Sequence, residues 1–272
     1  MEAATKYKKI FADDIYATNP ESKGRIYINS SITFWKRFVG IVFKSASLAQ
    51  AGKYDGYQWA NSSIDILDAL ENAGMQFEFT GLKNIQTTEG PVVFISNHMS
   101  TLETVVLPGI IQPVKPITFV VKKELLSVPK FKHILSARDP IVVGRQNPRE
   151  DLTTVMEEGS RKIKEGRSIV IFPQSTRNHV FNPESFNSLG VKLAKRNNIK
   201  VIPIALVTDA WGNGRYMKEF GKIDIRKKVR IAFGPALNAG ATDINVHKYI
   251  TDFIIQNLKN WGRTDCLPES LQ

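Results

Sequence analysis

The chain's pattern predicts an α/β fold: a mainly parallel or mixed sheet of about seven strands with helices on both faces, behind a helical N-terminal segment. Three observations carry that expectation. From Met75 onward, apolar runs of strand length alternate with stretches of helical periodicity. Most of these runs are continuously apolar, as strands covered on both faces are. Before Met75 the strong periodicity is helical, which divides the chain into a helical segment, 1–74, and an α/β unit, 75–272.

The opening stretch, "MEAATKYKKIFADDIYATNP", is polar and mixed in charge. It reads as loosely held, and it lacks the apolar centre of a cleaved signal peptide. In "ITFWKRFVGIVFKSASL", Ile32, Trp35, Phe38, Val39, Val42 and Phe43 recur at helical spacing, interrupted by Lys36, Arg37 and Lys44. Those charges rule out a bilayer span, and no stretch of the chain approaches about 18 uncharged apolar residues. Two readings fit: an amphipathic helix packed on the domain, or an interfacial helix with aromatic anchors and basic flanks on an anionic membrane. The wholly basic charge favours membrane contact. A second helix, Tyr57 to Asn72, carries Ile64, Leu67 and Leu70 and stops at Gly74.

"MQFEFT" alternates apolar and polar, as a half-exposed strand does. "PVVFIS" precedes a helix from Thr101, and "PITFVV" precedes "KELLSVPKFKHIL". "PIVVGR" leads into a helix from Pro148 to Lys164, and "SIVIFP" into a loop and a helix near Phe186 to Arg196. "KVIPIALV" follows, then one or two strands in "KIDIRKKVRIAFG" and a closing helix from Ile244 to Trp261. In such sheets, sites form at the carboxyl ends of strands. His98, Lys122, Arg145 and the segment Gln174 to Arg177 all follow strand runs directly.

Composition narrows the chemistry. With 37 Lys+Arg against 26 Asp+Glu, the net charge of +11 favours anionic partners: nucleic acid, an anionic membrane surface or phosphorylated substrates. The basic residues lack the aromatic interleaving of an RNA-binding sheet, so nucleic acid is not expected. Cys266 is the one cysteine, which rules out an internal disulfide and a cysteine-based zinc site. The other three histidines are scattered, and nothing argues for a metal or cofactor. A nucleophile elbow, a P-loop and a dinucleotide fingerprint are all absent.

His98 and Glu103 stand five residues apart after the first fully apolar run. Ser100 and Glu103 also fit S-x-x-E, the box in which a glutamate returns to the amide that starts a helix. On that reading His98 is a loop histidine and Glu103 a cap, an alternative that the pair by itself leaves open and that does not exclude a catalytic role. A histidine at a strand end, with a carboxylate to fix its tautomer and stabilise the imidazolium, is a general-base arrangement. With no nucleophile motif beside it, the base would act on a substrate hydroxyl that attacks directly.

These residues carry a resemblance. "SNHMSTLE" resembles the N-H-x-x-x-x-D block of the lysophospholipid acyltransferase family, the glycerol-phosphate type. "VVKKELLSVP" is similar to its K-x-E-L-x-x-x-P block, and "DPIVVGR" to the short strand ending in a phosphate-binding arginine. "IFPQSTRN" resembles F-P-E-G-T-R, and "VIPIAL" the apolar block with a central proline. The blocks keep the family's order and spacing.

The resemblance implies an α/β domain with an N-terminal part in the membrane interface. It implies fatty acyl transfer from acyl-CoA or acyl-acyl carrier protein to the hydroxyl of a lysophospholipid, with 1-acylglycerol-3-phosphate the default acceptor. His98 would be the base and Glu103 its orienting partner. Arg145 and Arg177, with Lys122, would hold the acceptor phosphate, which guanidinium forks match bidentately. Gln174, Ser175 and Thr176 complete the implied substrate-binding segment. The implied location is the cytoplasmic side of a membrane, peripheral or interfacial. This chain departs from the pattern at Glu103 for aspartate, Gln174 for glutamate, Ser175 for glycine, and Lys132 where a glycine often stands. Alternatives are a different lysolipid or aminolipid acceptor, and a non-catalytic lipid-binding protein on the same scaffold.

Overall fold

The structure is a computed structural model that describes residues 7–19, 30–174, 176–214, 221–242 and 244–272. Among these, nine strands form one mixed sheet: β1 (Ile15–Ala17), β2 (Phe77–Thr80), β3 (Val92–Ser96), β4 (Ile117–Lys122), β5 (Ile141–Val143), β6 (Ser168–Ile171), β7 (Lys200–Val207), β8 (Val229–Phe233) and β9 (Leu237–Asn238). Their order across the sheet is β1-β2-β8-β7-β3-β6-β4-β5, with β9 against β7. Strands β7, β3, β6, β4 and β5 run parallel, and β8 turns antiparallel to β7. The apolar runs predicted this parallel core. They did not predict β1, which lies in the polar N-terminal stretch and pairs antiparallel with β2 as an edge strand. "KIDIRKKVRIAFG" yields only β8 as a strand, while Ile223 makes an isolated bridge to Trp211.

The longer α-helices among the described residues are α1 (Ser30–Gln50), α2 (Gly56–Asn72), α3 (Leu82–Thr87), α4 (Leu102–Ile111), α5 (Phe131–Ala137), α6 (Pro148–Lys164), α7 (Leu189–Arg196) and α8 (Val246–Asn260). "KELLS" winds as a 3-10 turn, Lys123–Ser127, ahead of α5. Helices cover both faces. On one, a Cβ at Gly190 of α7 would lie 2.6 Å from Ile95, so a glycine lets that helix sit directly on β3. On the other, Trp59 of α2 meets Phe119 of β4 edge-on at 5.8 Å.

Pro203 interrupts β7 where the β9 ladder (Lys200, Val201) ends and the β8 ladder (Ile204 to Val207) begins. A missing N–H costs least at such a gap. Pro108 similarly breaks α4, and Ser63 of α2 fills the breach. Its Oγ accepts from Gly109 N–H (2.7 Å) and faces the carbonyls of Val105 and Val106. α2 is thereby bonded to α4.

α1 has two faces. Phe34, Phe38, Val42 and Ala46 are buried, and Trp211, beyond β7, receives Phe34, Trp35 and Phe38 at ring separations of 5.3, 5.2 and 5.4 Å. Ile32, Val39 and Phe43 face outward, beside the exposed Lys36, Arg37 and Lys44. No described helix is long and apolar enough to cross a membrane.

Candidate active site

β3 ends at Ser96, and Asn97 locks the following loop to its neighbour by pairing its side-chain amide with both the N–H and the C=O of Leu206 in β7 (3.0 and 2.9 Å). His98 comes next. Its backbone N–H donates to Gln174 Oε1 (2.7 Å), and its C=O accepts from Asn178 N–H (2.9 Å). The loop after β6 therefore braces the His98 loop from the other side. The His98 ring stacks on Phe172, with centroids 4.3 Å apart.

His98 Nδ1 lies 2.8 Å from Glu103 Oε1. Glu103 is fully buried, and its carboxylate is saturated with donors. Oε1 also accepts from the N–H groups of Met99 (2.7 Å) and Ser100 (2.8 Å), and Oε2 from the hydroxyl of Thr208 (2.6 Å), while the single Ser100 hydroxyl proton faces both Oε2 (3.0 Å) and the Thr208 C=O (2.9 Å). Half of the S-x-x-E box is realised: the glutamate reaches the Ser100 amide, while the serine hydroxyl accepts from Leu102 N–H (3.1 Å). Burial alone would push the Glu103 carboxyl up. The bonds from His98, Thr208 and Ser100 outweigh it and hold the carboxyl below its ordinary range. An ionised carboxylate accepts only, so His98 carries its proton on Nδ1 and leaves Nε2 to the cavity that the ring lines.

That cavity has a volume of about 1040 Å³. Phe38, Ile41, Val42, Trp59, Phe119 and Phe131 are among its apolar lining. Lys122, Arg145, Thr176 and Arg177 line it as well, together with Gln174. Arg177 donates to Thr101 Oγ1 (2.5 Å), at the start of α4. Arg145 adopts a left-handed φ of 58°, and the Asp151 carboxylate accepts from the N–H groups of Gly144 and Arg145, both 2.9 Å. The carboxyl ends of β3, β4, β5 and β6 thus bring His98, Lys122, Arg145, Gln174, Thr176 and Arg177 to one cavity. Gln174 is 5% exposed, and its amide oxygen serves the His98 loop. Ser175 lies outside the described residues.

Sequence reasoning missed Thr208, Phe172 and Thr101. Thr208 and Phe172 directly follow strand runs, the same signal that singled out Lys122 and Arg145. A cluster at the C-terminal turn also went unnoticed. His179, Asp265 and Cys266 bring ligand atoms within 4.8 Å of one another. Arg263, however, pairs with both Asp209 and Asp265, and Lys227 also holds Asp209. Burial pushes the Cys266 thiol up to about 12. The cluster fits an ion-pair clasp, closed by the Phe181 N–H bond to Cys266 C=O (2.8 Å), better than a metal site.

The family model described as Acyltransferase matches residues 76–207. A 1-acyl-sn-glycerol-3-phosphate acyltransferase of Pseudomonas aeruginosa is 34% identical over 167 residues, 61% of each chain. A chloroplastic 1-acyl-sn-glycerol-3-phosphate acyltransferase of Brassica napus is 26% identical over 140 residues, 52% of this chain and 38% of that one. The chain thus spans less than two thirds of the length of these relatives. The crystal structure of the 1-acyl-sn-glycerophosphate acyltransferase PlsC from Thermotoga maritima shares the fold, with a TM-score of 0.64 at 16% identity, over 86% of this chain and 95% of that one.

Proposed function

We propose that this chain, which the Acyltransferase family model matches over residues 76–207, is an acyltransferase that transfers a fatty acyl group from a thioester donor to the free hydroxyl of a lysophospholipid. The default acceptor is 1-acylglycerol-3-phosphate, giving phosphatidate. The observation that carries this reading is the His98–Glu103 contact of 2.8 Å at the wall of a cavity lined by both apolar and basic side chains. An acyl chain suits Phe38, Trp59 and Phe119. A phosphate suits Arg145, Arg177 and Lys122.

In the proposed reaction, His98 Nε2 takes the proton of the acceptor hydroxyl as its oxygen attacks the thioester carbonyl. The new C–O ester bond forms, the C–S bond breaks, and the imidazolium returns the proton to the departing sulfur. Glu103 holds the tautomer and stabilises the imidazolium. No covalent enzyme intermediate is needed. Acyl-CoA and acyl-acyl carrier protein both supply the required thioester. In this reading residues 1–74 carry the lipid-facing part, through the exposed side of α1, and residues 75–272 the transfer chemistry.

Purified protein is given acyl-CoA or acyl-acyl carrier protein with a panel of lysolipids, and products are read by mass spectrometry. Phosphatidate formation that disappears in a folded His98→Ala variant supports the reading. Near-normal transfer by that variant overturns the mechanism. Preference for another lysolipid overturns the acceptor alone, an outcome to which Gln174 and Ser175, in place of the family's glutamate and glycine, give a motive.

A further inference from the structure

Glu103 stands where the family pattern has aspartate, and its longer side chain has one more torsion to fix. Three of its donors come from residues adjacent in sequence: His98, Met99 and Ser100. Those three gather on Oε1, and the local contact at Oε2 is the Ser100 hydroxyl (3.0 Å), whose single proton is shared with the Thr208 C=O (2.9 Å), so the carboxylate keeps freedom to swing about Oε1. The contact that removes this freedom comes from far along the chain. Thr208 Oγ1, just beyond the end of β7, donates to Oε2 at 2.6 Å across a separation of 105 residues.

We propose that Thr208 is a positioning residue, which sets the plane of the Glu103 carboxylate and through it the His98 ring. The hydroxyl is well placed to do so. Thr208 is fully buried and is absent from the cavity wall, so it acts on Glu103 without touching substrate. Its backbone is held on both sides. Its C=O accepts from Ser100 Oγ (2.9 Å), and the next residue, Asp209, is clamped by Arg263 and Lys227. The two bonds between Asn97 and Leu206 keep the loop and the strand end in register. Within this frame the Thr208 hydroxyl gives Oε2 a short donor of its own, where Ser100 offers a proton shared with a carbonyl.

This inference rests on the acyl-transfer reading for its kinetic consequence, but its geometric content can be measured without substrate. Thr208→Val keeps the shape and removes the donor; Thr208→Ser restores the donor without the methyl group. Two readouts apply to the full-length protein. The first is the proton resonance of the His98 Nδ1–H, which is hydrogen-bonded to a buried carboxylate and so shielded from exchange. It should shift or broaden in Thr208→Val and return in Thr208→Ser. The second is steady-state transfer: kcat should fall on the order of tenfold in Thr208→Val with both KM values unchanged, and recover in Thr208→Ser.

An unchanged resonance in folded Thr208→Val overturns the positioning role, whatever the activity. A Thr208→Ser variant as impaired as Thr208→Val also overturns it, because the methyl packing and not the hydroxyl would then matter. Parallel assay of His98→Ala keeps the two readings apart: an active His98→Ala removes the acyl-transfer mechanism, and the resonance alone then decides on Thr208.

Discussion

The His98 imidazole lies nearly flat on the Phe172 ring, with 4.3 Å between centroids and 19° between planes. Together with the Glu103 bond at Nδ1, this contact fixes both the tilt and the rotation of the ring. Phe172 lies one residue beyond β6, and His98 two residues beyond β3, its parallel neighbour. Replacing Phe172 by leucine keeps apolar bulk and removes the flat face. Such ring pairs contribute about 0.5–1.5 kcal/mol, so kcat should fall by about two- to tenfold. Steady-state kinetics check this, and a Phe172→Leu enzyme with wild-type kcat would leave the stack without a role in orienting the base.

Glu103→Asp should impair this chain although relatives of its family pattern use aspartate. The donors around the carboxylate are set at glutamate length: His98, Met99 and Ser100 at Oε1, Thr208 and Ser100 at Oε2. Shortening the side chain by a methylene pulls the carboxylate away from either the imidazole or Thr208. Loss of one charge-assisted bond corresponds to a kcat lower by about ten- to hundredfold. Full activity in Glu103→Asp would mean that the loop adjusts freely.

The buried carboxylate also ties stability to pH. Glu103 titrates below its ordinary value of 4.5 in the folded chain. Its contribution is therefore fully present above that pH and is lost as pH falls through the lower folded value. Wild type should exceed Glu103→Gln in urea midpoint near about pH 7, and the gap should narrow below the ordinary carboxylate value. A gap that stayed constant into acid would show that Glu103 carries no such linkage.

Ser63 supports the break in α4 from another helix. Ser63→Ala leaves the buried Gly109 N–H without its acceptor, at a cost of about 1–3 kcal/mol. A thermal melt should show Tm lower by about 2–5 °C. An unchanged Tm would mean that α4 straightens and recovers its own bond.

Vesicle binding tests the outer face of α1. Val39 and Phe43 are exposed beside Lys36, Arg37 and Lys44, and Lys130 sits over the Phe43 ring at 5.2 Å. Val39→Asp with Phe43→Ser should reduce co-sedimentation with anionic vesicles, and added salt should weaken what remains. Wild-type sedimentation by the double variant would exclude this face as the anchor.

Much of the architecture was legible because its causes are local. A strand covered on both faces must be apolar throughout, so β3, β6 and β7 stand out as unbroken runs. The β1 edge strand did not, because three residues with one exposed flank carry no pattern beyond a polar terminus. The His98–Glu103 pair was legible for a similar reason. Five residues spanning a loop and the first helical turn put the two side chains within reach, and the similar blocks that follow along the chain gave the reason to pair them. Gln174 was legible as a site residue, but not in its part: its amide oxygen is taken by a backbone N–H rather than offered to the cavity.

The sequence by itself therefore determined which strand ends carry polar chemistry, and that a histidine and a carboxylate would meet at one of them. Only the tertiary structure decided what stands around that pair. Because β3 lies between β6 and β7, Phe172 comes under His98, Gln174 reaches its backbone and Thr208 reaches Glu103. Arg177 likewise reaches Thr101 from the loop after β6. Strand order is set by packing the whole core, and no short-range spacing along the chain encodes which residue 105 positions away will share a carboxylate.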